Sequence, residues 1–102
     1  MDDIRLAYKK EQWDVVVSKG QKLLESDSTE KGQKQETYLL VGSALRRSGK
    51  LPDAIEVLEK GIKNFPQQAS LYHNLGNCLR SQKPDNKWPI IQNYLTAKEL
   101  GL

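Results

Sequence analysis

Within residues 38–46, four residues recur 34 positions further along the chain. Tyr38, Gly42, Leu45 and Arg46 return as Tyr72, Gly76, Leu79 and Arg80. Val41 and Ala44 return as Leu75 and Cys78, two swaps that keep an apolar side chain. A period of this length implies an array of similar supersecondary units, each too small to bury its own apolar face. Positions 38, 41, 42 and 45 lie three and four residues apart, the spacing of one helical face. The expected fold is therefore all-α, an α-solenoid of antiparallel helix–turn–helix repeats.

Local signals place the helices. Gly49 follows the first stripe, where a left-handed residue ends a helix. Pro52 then sits where a second helix starts, and its missing N–H costs nothing there. Ala54, Ile55, Leu58, Gly61 and Ile62 form the second stripe. Phe65-Pro66 closes it, because the residue before proline is pushed out of the α region. Gly42 and Ala54 are small where the two helices meet, and a helical Gly costs roughly 1 kcal/mol against Ala. Close packing is the expected compensation.

The next unit repeats the plan with a helix over residues 69–82 and a polar linker two residues longer. Pro89 is expected to open its second helix, and Trp88 to cover the edge of that pair. Residues 1–30 form a partial unit, with Asp2 and Asp3 at a helix start and a second helix over 11–24. A polar loop is expected over residues 26–34. The domain boundaries are thus a single domain, 1–102, with repeats at 1–30, 35–68 and 69–102.

Composition narrows the function classes. The 102 residues suit one small core. The single cysteine, Cys78, excludes an internal disulfide framework and suits a reducing compartment. The N-terminus lacks the basic and apolar regions of a secretory leader, and no apolar run approaches a membrane span. A cytoplasmic location is expected. The net charge of +3 is a mild bias that disfavours, without excluding, a nucleic-acid partner. There is no Gly-rich phosphate loop, no HExxH and one histidine in all, so the chain is expected to be non-catalytic, with no cofactor and no metal.

The residues quoted above resemble the tetratricopeptide repeat family. Tyr38, Val41, Gly42, Leu45, Gly49, Ala54, Leu58, Gly61 and Pro66 match its 34-residue unit without a gap. Tyr72, Leu75, Gly76, Leu79, Ile90, Tyr94 and Ala97 match after the longer loop; Ala7, Trp13 and Val16 match weakly. The same stretch is also similar to the RNA-reading pentatricopeptide family. The spacing of 34, and the absence of that family's basic-Gly-x-x-Pro-Asp turn, favour the first.

The resemblance implies a protein-interaction scaffold whose first helices line a concave groove. Outside the apolar stripes, these helices carry Arg5, Lys9, Ser43, Arg46, Arg47, His73, Asn74, Asn77 and Arg80, a basic set. Arginine holds a carboxylate bidentately, and an Asn amide can bond both donor and acceptor of a peptide backbone. The expected partner is a protein or peptide, acidic or C-terminal. Family members that clamp a carboxylate for chaperones carry a lysine where Leu39 and His73 stand, so a chaperone client is not expected. Two alternatives stand: a targeting or oligomerisation module of a larger, for example group-transfer, enzyme, and an RNA-binding helical repeat. Finally, Ile91, Leu95 and Leu100 offer an apolar surface at the C-terminal end, so the chain is expected either to be a piece of a longer protein or to associate with copies of itself through that end.

Overall fold

The computed structural model describes residues 2–27 and 29–102. Six helices follow one another: α1 (Asp2–Lys9), α2 (Trp13–Glu25), α3 (Lys31–Arg47), α4 (Leu51–Asn64), α5 (Ala69–Gln82) and α6 (Lys87–Glu99). Each helix packs on the next in the chain, and α3 also touches both α1 and α5. The first helices of the three hairpins therefore stand side by side.

The turns explain where the helices stop. At the end of α3 the Lys50 N–H reaches the Leu45 carbonyl at 2.8 Å and the Gly49 N–H the Arg46 carbonyl at 3.1 Å. Gly49 takes φ +84° to allow this, the Schellman arrangement that satisfies carbonyls left over at a helix end. The same pair of bonds ends α1: Gln12 to Ala7 at 2.9 Å and Glu11 to Tyr8 at 3.0 Å. Here the left-handed residue is Glu11, φ 59°.

That match resolves the weak first unit. Glu11 and Gly49 lie 38 residues apart, as do Trp13 and Leu51, which start α2 and α4. The extra four residues are about one helical turn, and α3 carries them. It begins at Lys31, although the 34-residue period from Ala69 points to residue 35. The polar loop expected over 26–34 is therefore shorter, with residues 31–34 helical. An inserted whole turn keeps the apolar face in phase. With the 38-residue offset, Val16 falls on Ala54, and both are fully buried. The third hairpin also differs slightly from expectation, since α6 starts at Lys87 and Pro89 is its third residue.

A non-glycine residue in the left-handed region carries a steric cost of roughly 1–2 kcal/mol. Glu11→Gly removes it but loosens the unfolded chain. The net expectation is a gain of about 0.5–1 kcal/mol, read as a higher urea midpoint. A lower midpoint would mean that the Glu11 side chain contributes more than its backbone costs.

Two apolar clusters share α3. Val41 and Leu45 join Ala54, Leu58, Leu71, Leu75 and Cys78, while Ala44 joins Ile4, Ala7 and Val16. In the second and third hairpins a glycine of the first helix lets a large side chain of the other helix in. A Cβ on Gly42 would stand 2.5 Å from Leu58 Cδ2, and one on Gly76 would stand 2.8 Å from Tyr94 Cε1. Leu58 and Tyr94 are equivalent under the 36-residue offset between α4 and α6, so the two hairpins close in the same way.

Candidate protein-binding face

The side chains predicted to line a groove divide into two sets. On the first-unit side they engage one another. Arg5 grips Glu36 with both arms, Nε to Oε2 at 2.6 Å and Nη2 to Oε1 at 2.5 Å. The hydrogen bond and charge of Arg5 hold the Glu36 carboxyl below its ordinary range. The Tyr8 and Ser43 hydroxyls bond at 2.6 Å. Arg47 lies over the Tyr8 ring at 5.8 Å and the Trp13 ring at 5.5 Å, a cation held by two ring faces. Those rings meet edge to face, with centroids 5.2 Å apart.

These contacts correct the expectation for three residues. Ser43 is buried and tied to Tyr8, so it does not line a groove. Arg5 is spent on Glu36, and Arg47 is turned towards the first hairpin. Their work is to bind α1 and α2 to α3. Lys9 stays exposed.

On the other side, α3 and α5 present Arg46, His73, Asn77 and Arg80. Arg46 is half-buried, and its buried Nε has no hydrogen-bond partner among the described residues. Burial raises the pKa of the neighbouring Cys78 thiol, the Arg46 charge opposes it in part, and the net value is about 11. Arg80, its equivalent 34 residues on, is exposed. The exposed His73 ring leans on Tyr94, centroids 5.4 Å apart. Asn77 accepts a 2.6 Å hydrogen bond from the Tyr94 hydroxyl, which leaves its Nδ2 available. Asn74 instead turns its Nδ2 back to the Ser70 carbonyl at 2.9 Å, so its donor is used inside α5. Gln68 ties the helices together below this face, donating to the Gln35 carbonyl at 3.1 Å.

The hairpin α3–α4, the closure of Leu58 over Gly42 and the return of the plan in α5–α6 define one repeating unit. The tetratricopeptide repeat family model matches residues 36–78, from the second turn of α3 to Cys78 in α5. Residues 36–78 carry a tetratricopeptide repeat. Such repeats are in general non-catalytic modules of protein–protein interaction. No curated protein matches the chain. The two outer hairpins extend the tetratricopeptide unit into an all-α stack. Among the described residues, no helix is long and apolar enough to cross a membrane.

The C-terminal hairpin carries a second feature. Ile91 and Leu95 are exposed as expected, whereas Leu100 is half-buried after the end of α6 and does not join them. Trp88 takes that place. It covers no helix edge, but stands 67% exposed in the first turn of α6. Beside it, Tyr72, Trp88 and Leu95 line a shallow depression of about 530 Å³ with a polar rim that includes Gln92 and Glu99. The sequence held a signal for this surface in the 36-residue offset. Trp88 stands where α4 has Pro52, and Leu95 where it has the exposed Glu59.

Proposed function

We infer that the chain is a non-catalytic interaction scaffold that holds an acidic, extended partner segment along α3 and α5. The observation that carries this reading is the buried Arg46 Nε with no hydrogen-bond partner among the described residues. A buried donor left unpaired costs roughly 1–3 kcal/mol, and a ligand carboxylate would remove that cost. Arg80 supplies a second fork at the equivalent position of the next unit. Asn77 Nδ2 supplies a donor for a peptide carbonyl between them, and His73 flanks the site on Tyr94. Arg5 neutralises Glu36, so the acidic member of the set does not repel such a ligand.

Fluorescence anisotropy with a labelled acidic peptide, against a neutral peptide of the same length, tests the reading. Arg46→Glu and Arg80→Glu are each expected to weaken binding on the order of 10-fold or more, because a charge-assisted pair becomes a repulsion. Arg5→Ala frees the Glu36 carboxylate and should weaken binding, but by less than either charge reversal. Equal binding of both peptides would refute the acidic preference. Tight, steeply salt-dependent binding of single-stranded RNA in place of peptide would replace the reading altogether.

A further inference from the structure

The apolar stripe on α6 lies apart from the α3–α5 face and has no part in the reading above. Trp88, Ile91 and Leu95 are 67%, 44% and 51% exposed. Together with Lys98, also exposed, they follow a 3–4–3 spacing, the seam by which one helix packs along another. The preceding hairpin shows that the scaffold does not need this surface. Its equivalents of Trp88 and Leu95 are Pro52 and Glu59, both exposed. A helix that is apolar on its buried face and also here has been given a second contact to make.

We propose that this stripe pairs with the same stripe of a second copy, α6 against α6 in antiparallel orientation about a two-fold axis. The sequence of the seam selects both the occupant and the direction. In antiparallel packing, each position of one spacing class faces the other class across the axis. Ile91 then stacks on Leu95 of the other copy, and Leu95 on its Ile91, forming two central apolar layers. Lys98 faces the other Trp88 at both ends, laying its stem and charge on an indole. Parallel packing would instead set Lys98 against Lys98, two like charges in one layer.

The area agrees with a reversible dimer. The three apolar side chains leave roughly 350 Å² exposed on each copy, within the range of functional surface patches. At the apolar share usual for homodimers, two such patches imply a total interface of about 1,100 Å². That is near the lower limit for a specific contact, and it suits a micromolar association rather than a permanent one.

The test is sedimentation and light scattering of the 102-residue chain across roughly 1 μM to 1 mM, the range in which such an interface dissociates. The mass is expected to rise from monomer to dimer. Leu95→Glu and Ile91→Glu should each weaken the dimer by about 100-fold. Both residues are exposed, so circular dichroism should show the helices intact. Direction is read from Lys98→Ala, which should weaken an antiparallel dimer and would strengthen a parallel one. Mixing Ile91→Cys with Leu95→Cys chains should give a disulfide between the two variants faster than within either; Cys78 is buried and stays out of the reaction. A monomer throughout the range, a dimer unaffected by Leu95→Glu, or one strengthened by Lys98→Ala would each overturn the proposal.

Discussion

A Gly42→Val variant is expected to lose about 2–3 kcal/mol of stability, the usual cost of overpacking a tight core. A Cβ at position 42 would stand 2.5 Å from Leu58 Cδ2 and 2.7 Å from Leu58 Cγ. Leu58 is fully buried, so it cannot yield without pushing on the rest of the core. Valine is the better helix former, but only by a few tenths of a kcal/mol, so the clash decides the sign. A domain of this size holds roughly 5–15 kcal/mol in all, and the urea midpoint should fall visibly. An unchanged midpoint would mean that Leu58 has another rotamer to occupy. The partner variant sharpens the argument. Leu58→Ala alone opens a cavity, and adding Gly42→Ala partly fills it. The double variant should therefore lose less than the sum of the two single changes.

Leu71→Ala is expected to cost about 3–4 kcal/mol, within the range for truncating a fully enclosed leucine. Leu71 is fully buried in the first turn of α5, in the cluster that spans α3, α4 and α5. Its Cδ1 would lie 3.1 Å from a Cβ on Gly61, so it seats α5 directly on α4. The loss should also be local. In a repeat array the stability of a unit depends on the interface to its neighbour. Amide exchange in α5 and α6 should therefore quicken more than exchange in α3. Uniform quickening would show that the array unfolds as one body, with no separable last hairpin.

The sequence was most legible where the physics is local. Helix ends at Gly49 and at Phe65-Pro66, the span of α5 and the closure of Gly42 on its neighbour all follow from backbone preference and periodicity. The first unit was obscured because the extra turn in α3 moves its register from 34 to 38 residues, and because Glu11 holds the left-handed position that a glycine would have announced. The binding face was legible only in part. Side-chain type marks Arg5, Ser43 and Arg47 as groove residues, but their partners Glu36, Tyr8 and Trp13 come near only when the hairpins stack. Arg46 is the converse case: the 34-residue repeat marks it and not Arg47, but does not say that Arg47 rests on two rings while Arg46 keeps a buried nitrogen without a hydrogen-bond partner among the described residues. Leu100 failed for a simpler reason, since the helix ends before it and its direction is set by the terminal turn.

The position of α3 also bears on how fast this chain can fold. The helices in contact are neighbours or next neighbours in the chain, so contacting residues are close in sequence. Little loop-closure entropy has to be lost before contacts form, and such topologies fold in roughly microseconds to milliseconds. Both apolar clusters draw on α3. A nucleus started in either half must therefore recruit this helix, and once α3 is ordered it offers a ready surface to the other half. Folding of both ends is thus expected to depend on the ordering of the middle of the chain.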